Sequence, residues 1–190
     1  MEKTTKIKTA DGRILEFTTA HDSIEDLKKY VAEWKELYSI QRSIRNYLGY
    51  LLAQAELDYA LGDIELAADE LLTGLDREKL EEKGDDSGNT IAPYIYASTL
   101  LVEILLKLGR PDDALEWANT AYDLSVDSES GMINTAFAQE LVACCLYSAG
   151  KKEDAKFMHE IALTEARKQI SELSELVESI EKNLDELNGA

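Results

Sequence analysis

The chain has 190 residues, 45% of them hydrophobic, and a formal net charge of −18 at pH 7. That length suits one domain with a sizeable core. The acidity argues against binding to nucleic-acid phosphate or to an anionic membrane surface, since both call for a basic face.

The N terminus opens with two β-prone runs, residues 4–9 and 13–19, on either side of Ala10-Asp11-Gly12. Asp-Gly between such runs predicts a small β-hairpin over residues 1–20. A lone hairpin is marginal in water, so it is expected to cap the helices or to pair with another strand. Asp22 or Ser23 then caps a first helix, with Asp22 and Glu25 spaced as a capping box. Ile24, Leu27, Val31, Trp34 and Tyr38 form one apolar stripe that must be buried. A break near Ser39 leads to a second helix over about 40–61, and a third over about 63–83.

Residues 84–90, Gly-Asp-Asp-Ser-Gly-Asn-Thr, read as an acidic loop. Calcium loops use the same residue types, but the oxygen spacing and closing glutamate of an EF-hand are missing, so no metal site is expected. A fourth helix, about 90–108, is apolar all round, as suits the middle of a stack. A fifth covers about 111–126 and a sixth about 132–149. The last begins near Lys152 and is predicted to run unbroken towards Leu187, roughly 54 Å at the usual rise. Its apolar residues Leu163, Ala166, Ile170, Leu173, Val177, Ile180, Leu184 and Leu187 alternate in steps of three and four, a coiled-coil seam. Two outlets are weighed equally. The seam covers the stripe of the first helix, or Ile170 to Leu187 make a homodimer.

Charge is uneven along the chain. Residues 1–46 hold nine Lys/Arg and eight Asp/Glu, and residues 47–190 hold eleven and thirty. The N-terminal quarter is therefore expected against an acidic surface of its own chain or of a neighbour.

Three positions recur. Gly62, Ala67 and Gly74 stand at steps of five and seven, as do Gly109, Ala114 and Ala121, and Gly150, Ala155 and Ala162. Each glycine suits a helix end, where the left-handed conformation satisfies the last carbonyls. Asp63 and Pro111 suit the start of the next helix. The small residues let a neighbouring helix come close, and Ala55 and Ala143 are small where the preceding helix needs it. This pattern resembles the tetratricopeptide repeat (TPR). The resemblance covers roughly residues 47–167. Val102 departs from it, no copy ends in proline, and the glycines are 47 and 41 residues apart where the repeat has about 34.

The resemblance implies an all-α fold: a right-handed superhelical stack of antiparallel helix hairpins over 21–167. The hairpin over 1–20 precedes it, and a helical extension over 168–190 follows. It also implies a peptide-binding groove on the concave face formed by the first helix of each pair. Those positions are Leu52, Glu56 and Tyr59; then Tyr96, Leu100 and Glu103; then Phe137, Glu140, Leu141 and Tyr147. Aromatic and leucine side chains anchor peptides well, and the glutamates favour a basic or amphipathic segment. The competing reading, held equal, makes these residues core under the chain's own end helices. The lysine and asparagine clamp with which one branch of the family holds acidic C-terminal peptides is absent, since Leu52, Glu56, Leu100, Phe137 and Leu141 occupy its places.

Nothing local suggests catalysis. His21 and His159 are far apart, no Gly-rich phosphate loop occurs, and the carboxylates are too numerous to be informative. His159 is expected to be packed in a helix interface. Cys144 and Cys145 are adjacent on a helix and point apart, so no ordinary disulfide joins them. With no leader and no apolar run long enough for a bilayer, a reducing cytoplasm is expected. The sequence therefore predicts an adaptor, scaffold or chaperone that binds a protein segment, with no cofactor. A self-assembling structural protein is the alternative. An enzyme with a pocket inside the stack and a mimic of DNA are weaker ones.

Overall fold

The structure, a computed structural model, describes residues 4–8, 14–18, 23–76, 80, 90–127, 132–167 and 180–185. Helices dominate it. They are α1 (Ile24–Ile40), α2 (Ile44–Leu61), α3 (Ile64–Gly74), α4 (Ile91–Lys107), α5 (Pro111–Asp127), α6 (Met132–Ser148) and α7 (Lys152–Arg167). Residues 180–185 are helical as well. Two short strands, β1 (Thr4–Lys8) and β2 (Ile14–Thr18), pair antiparallel with Thr4 opposite Thr18, and β2 lies against α1. The Asp11-Gly12 turn lies outside the described residues, as does the 84–89 loop.

The chain divides into two compact units, Met1–Ala97 and Ser98–Ala190, with the boundary inside α4. In the first, α1 packs on α2 and α2 on α3; in the second, α5 packs on α6 and α6 on α7.

Three helix ends are built alike, bond for bond. Gly62, Gly109 and Gly150 have φ of 90°, 70° and 77°. Each glycine N–H donates to the carbonyl three residues back (Tyr59, Leu106, Tyr147) at 2.9–3.1 Å. The next residue's N–H donates to the carbonyl five back (Asp58, Leu105, Leu146) at 2.9 Å in every case. These two bonds define a Schellman motif, which satisfies carbonyls that a helix end would otherwise leave open. The residue after each glycine then starts the following helix, its carbonyl accepting from Ala67, Ala114 or Ala155 at 3.0 Å. Those three alanines, with Ala55, Ala121, Ala143 and Ala162, are fully buried, and Val102 is buried in the place of the missing small residue. At Gly74 the side chains of α2 come close to the backbone of α3. A Cβ there would stand 2.5 Å from Leu51 Cδ2 and 2.9 Å from the Tyr47 hydroxyl.

Ser23, one of the two expected caps, caps α1: its Oγ accepts from the Asp26 N–H at 3.2 Å. Two expected boundaries shift. The second helix starts at Ile44 rather than near 40, because Ser43 caps it and the Asn46 side chain donates to the Gln41 carbonyl at 2.8 Å. The third helix ends at Gly74, with Leu75 as its C-cap, instead of continuing to 83.

The largest correction concerns the last helix. Arg167 Nη2 lies 2.6 Å from Glu181 Oε1. One straight helix would separate those residues by about 21 Å, so an unbroken helix from 152 to 187 is excluded. Ile180 is instead fully buried in a cluster with Ala136, Ala162, Leu163 and Ala166, and Leu184 packs against it. The stripe of α1 is covered elsewhere: Ile24, Leu27, Val31 and Trp34 pack with Ala53, Leu57 and Tyr50 of α2. Tyr38 meets the Tyr47 ring at 5.6 Å, with the Arg42 guanidinium 5.8 Å from its own ring centre. Neither outlet expected for the seam thus describes Ile180 and Leu184, which are covered by the chain's own α6 and α7. Ile170, Leu173, Val177 and Leu187 lie outside the described residues.

Candidate binding surfaces

The positions implied as a groove fall into distinct environments. In the first unit Leu52, Glu56 and Tyr59 on α2 are half-buried, and Tyr96 on α4 is 57% exposed. Burial pushes the Glu56 carboxyl up from its ordinary range. In the second unit Leu100 is half-buried, and Glu103 is exposed and paired with Lys107 at 3.2 Å. On α6, Phe137 and Tyr147 are 41% and 43% exposed and Leu141 is half-buried. Singly exposed aromatic side chains of this kind are ordinary on a protein surface.

Glu140 differs from the rest. Its carboxylate faces inward, with one oxygen 2.7 Å from His159 Nδ1 of α7. The other oxygen accepts from Asn183 Nδ2 at 2.7 Å and from the Cys144 thiol at 3.7 Å. Glu140 therefore binds within the chain and offers no charge to an outside peptide. His159 is packed in the helix interface, 2% exposed, as its sequence context predicts.

The two thiols of α6 sit in surroundings that hold them protonated. Burial, followed by the charge of Glu140, pushes the Cys144 thiol up to about 12, and burial alone takes Cys145 there too. A nucleophilic cysteine requires the opposite shift. Both cysteines are free thiols. His21 lies outside the described residues. Among the described residues no group of three or more His, Cys, Asp or Glu is placed to hold a metal, and no helix is long and apolar enough to cross a membrane.

Sequence reasoning missed a cleft of about 400 Å³ between α2 and α3. Tyr47, Tyr50, Leu51 and Gln54 line one wall and Asp69, Glu70, Thr73 and Gly74 the other. The spacing 47, 50, 51, 54 is a single helix face, and 69, 70, 73, 74 is another. That periodicity was visible; what it faced was not. At its edge Gln54 donates to Asp58 at 2.8 Å. Burial and then the neighbouring Asp58 charge raise the Glu70 carboxyl to about 7, well above the usual carboxylate range.

No family model matches the chain, and no curated protein does. Among solved structures the chain is similar to BtubC (BKLC) from P. vanneervenii, with a TM-score of 0.64 and 22% identity. The match covers 86% of this chain and 63% of that one, so this chain spans less than two thirds of its neighbour's length. At that identity the likeness concerns the fold alone.

Proposed function

We propose that this chain is a non-enzymatic, TPR-like adaptor or scaffold that captures a segment of another protein. Its helix pairs form a right-handed superhelical stack, capped by the N-terminal hairpin and working in a reducing cytoplasm. The observation that carries the reading is the identity of the three turns at Gly62, Gly109 and Gly150, with buried small residues in register after each. A stack of equivalent pairs presents the first helix of each pair in an equivalent way. Tyr96 on α4 and Phe137 and Tyr147 on α6 are the exposed anchors such a surface offers. The net charge of −18 favours a basic or amphipathic ligand.

The test is selection from a displayed library of basic and amphipathic peptides. Selected binders should lose at least tenfold in affinity for the variant Tyr96→Glu, Leu100→Glu, Phe137→Glu, with its helicity by circular dichroism unchanged. Equal binding by the folded variant overturns the proposed surface.

A further inference from the structure

The cleft between α2 and α3 is short of a positive charge. Glu70 of α3 lies beside a second carboxyl, Asp58 of α2, which is 6% exposed and accepts from Gln54 at 2.8 Å. Glu70 Oε2 is itself buried and has no hydrogen-bond partner. Among the described residues no Lys or Arg pairs with Asp58, Asp69 or Glu70, and none lines the cleft. Two carboxyls this close do not both ionise freely without a cation. In the empty cleft a proton fills that role: burial, then the Asp58 charge, holds the Glu70 carboxyl at about 7.

The walls suit a cation larger than a proton. The cleft measures about 400 Å³, within the roughly 300–1,000 Å³ of small-ligand sites. Tyr47 and Tyr50 give it aromatic surface and Leu51 apolar surface. Tyrosine faces attract cations, and the Arg42 guanidinium already stands 5.8 Å from the ring of Tyr38, the neighbour of Tyr47. A bare metal ion is a poorer fit. It gains nothing from Leu51, and among the described residues no three His, Cys, Asp or Glu are placed to hold one. A charged head on an apolar stem uses every wall: the head meets Glu70 and the stem lies along Leu51 and the tyrosines.

We infer that this cleft binds an ammonium group on an aliphatic stem, carried by a free amine or by the lysine side chain of a protein segment, with Glu70 as its counter-ion. The site holds or fails apart from the adaptor reading, because Tyr96, Leu100, Phe137 and Tyr147 do not line it.

The probes are n-butylammonium and a lysine blocked at both ends by acetyl and methylamide. Each is titrated into the full-length chain while the Tyr47 and Tyr50 ring signals are followed by NMR. Both rings should shift along one saturating curve. 1-Butanol and calcium should not reproduce it. Glu70→Gln should weaken binding at least tenfold, whereas Asp112→Asn, which removes an equal charge from an exposed site on α5, should leave it unchanged. Thr73→Lys places an ammonium on the exposed wall one turn from Glu70 and should block the site without disturbing the core. The titratable groups facing the site are Tyr47, Tyr50 and Asp58 of α2 and Asp69 and Glu70 of α3, with Tyr38 of α1 behind Tyr47. The ligand must displace the Glu70 proton while the amine keeps its own charge. Binding should therefore be at least tenfold weaker at pH 5 than at pH 8, and Glu70→Gln should lose that difference. The tighter of the two probes names the source, free amine or side chain. Equal binding of 1-butanol, equal losses in Glu70→Gln and Asp112→Asn, or undiminished binding by Thr73→Lys overturns the site and leaves the adaptor reading in place.

Discussion

The Trp34 ring of α1 lies flat against Gly49 of α2, so that a Cβ on the glycine would stand 2.5 Å from two ring carbons. The contact is what lets α1 bring its apolar stripe down onto Ala53 and Leu57. Gly49→Ala forces the ring or the helix aside. Overpacking of this kind costs about 1–3 kcal/mol, against which alanine returns about 0.5–1 kcal/mol of helix propensity. Urea unfolding should show a net loss of stability. In a Trp34→Leu background the same substitution should be neutral or stabilising, and a loss of equal size in both backgrounds would remove the ring as the cause.

The three turn glycines should respond alike. No atom lies within 4 Å of a Cβ built on Gly62, Gly109 or Gly150, so alanine meets only the cost of the left-handed backbone. That cost is about 1–2 kcal/mol. Thermal or urea unfolding of the three single variants should give losses within that range and close to one another. A free substitution at any one of them would separate it from the other two.

Glu70 makes stability depend on pH. Its carboxyl titrates at about 7 in the fold against an ordinary 4.5. Between those values the folded chain holds a proton that the unfolded chain has released, so stability falls as pH rises through the window. The penalty is complete above about 7 and absent below 4.5. Glu70→Gln keeps a donor beside Asp58 without the charge. It should be more stable than wild type at pH 8 and should show no gain at pH 4. A gain of equal size at both ends would place the effect elsewhere.

Cys144 and Cys145 should resist thiol reagents while the chain is folded. With both thiols at about 12 rather than the ordinary 9, the thiolate fraction at pH 8 falls about a thousandfold. Neither thiol should react with an aromatic disulfide reagent over minutes at pH 8, and both should react at once in denaturant. Rapid labelling of one thiol in the folded chain would show that its helix face is open.

The sequence by itself determined the pieces whose causes are local. Glycine reaches positive φ without strain, so the turns at Gly62, Gly109 and Gly150 follow from residue type, and helix with small residues in register follows from spacing. The apolar stripes on α1 and at Ile180 and Leu184 were legible for the same reason. What covers each stripe was not, because a periodic face states only that it must be buried and any complementary face will serve. Only the tertiary structure decided that α2 takes the stripe of α1 through Gly49 and that α6 and α7 take Ile180. It also turned Glu140 inward to His159 and Asn183, and set Tyr47 and Tyr50 opposite Glu70 across a cleft. Each of these is a pairing between distant stretches of chain, chosen by which side chains fit together once the helices have formed.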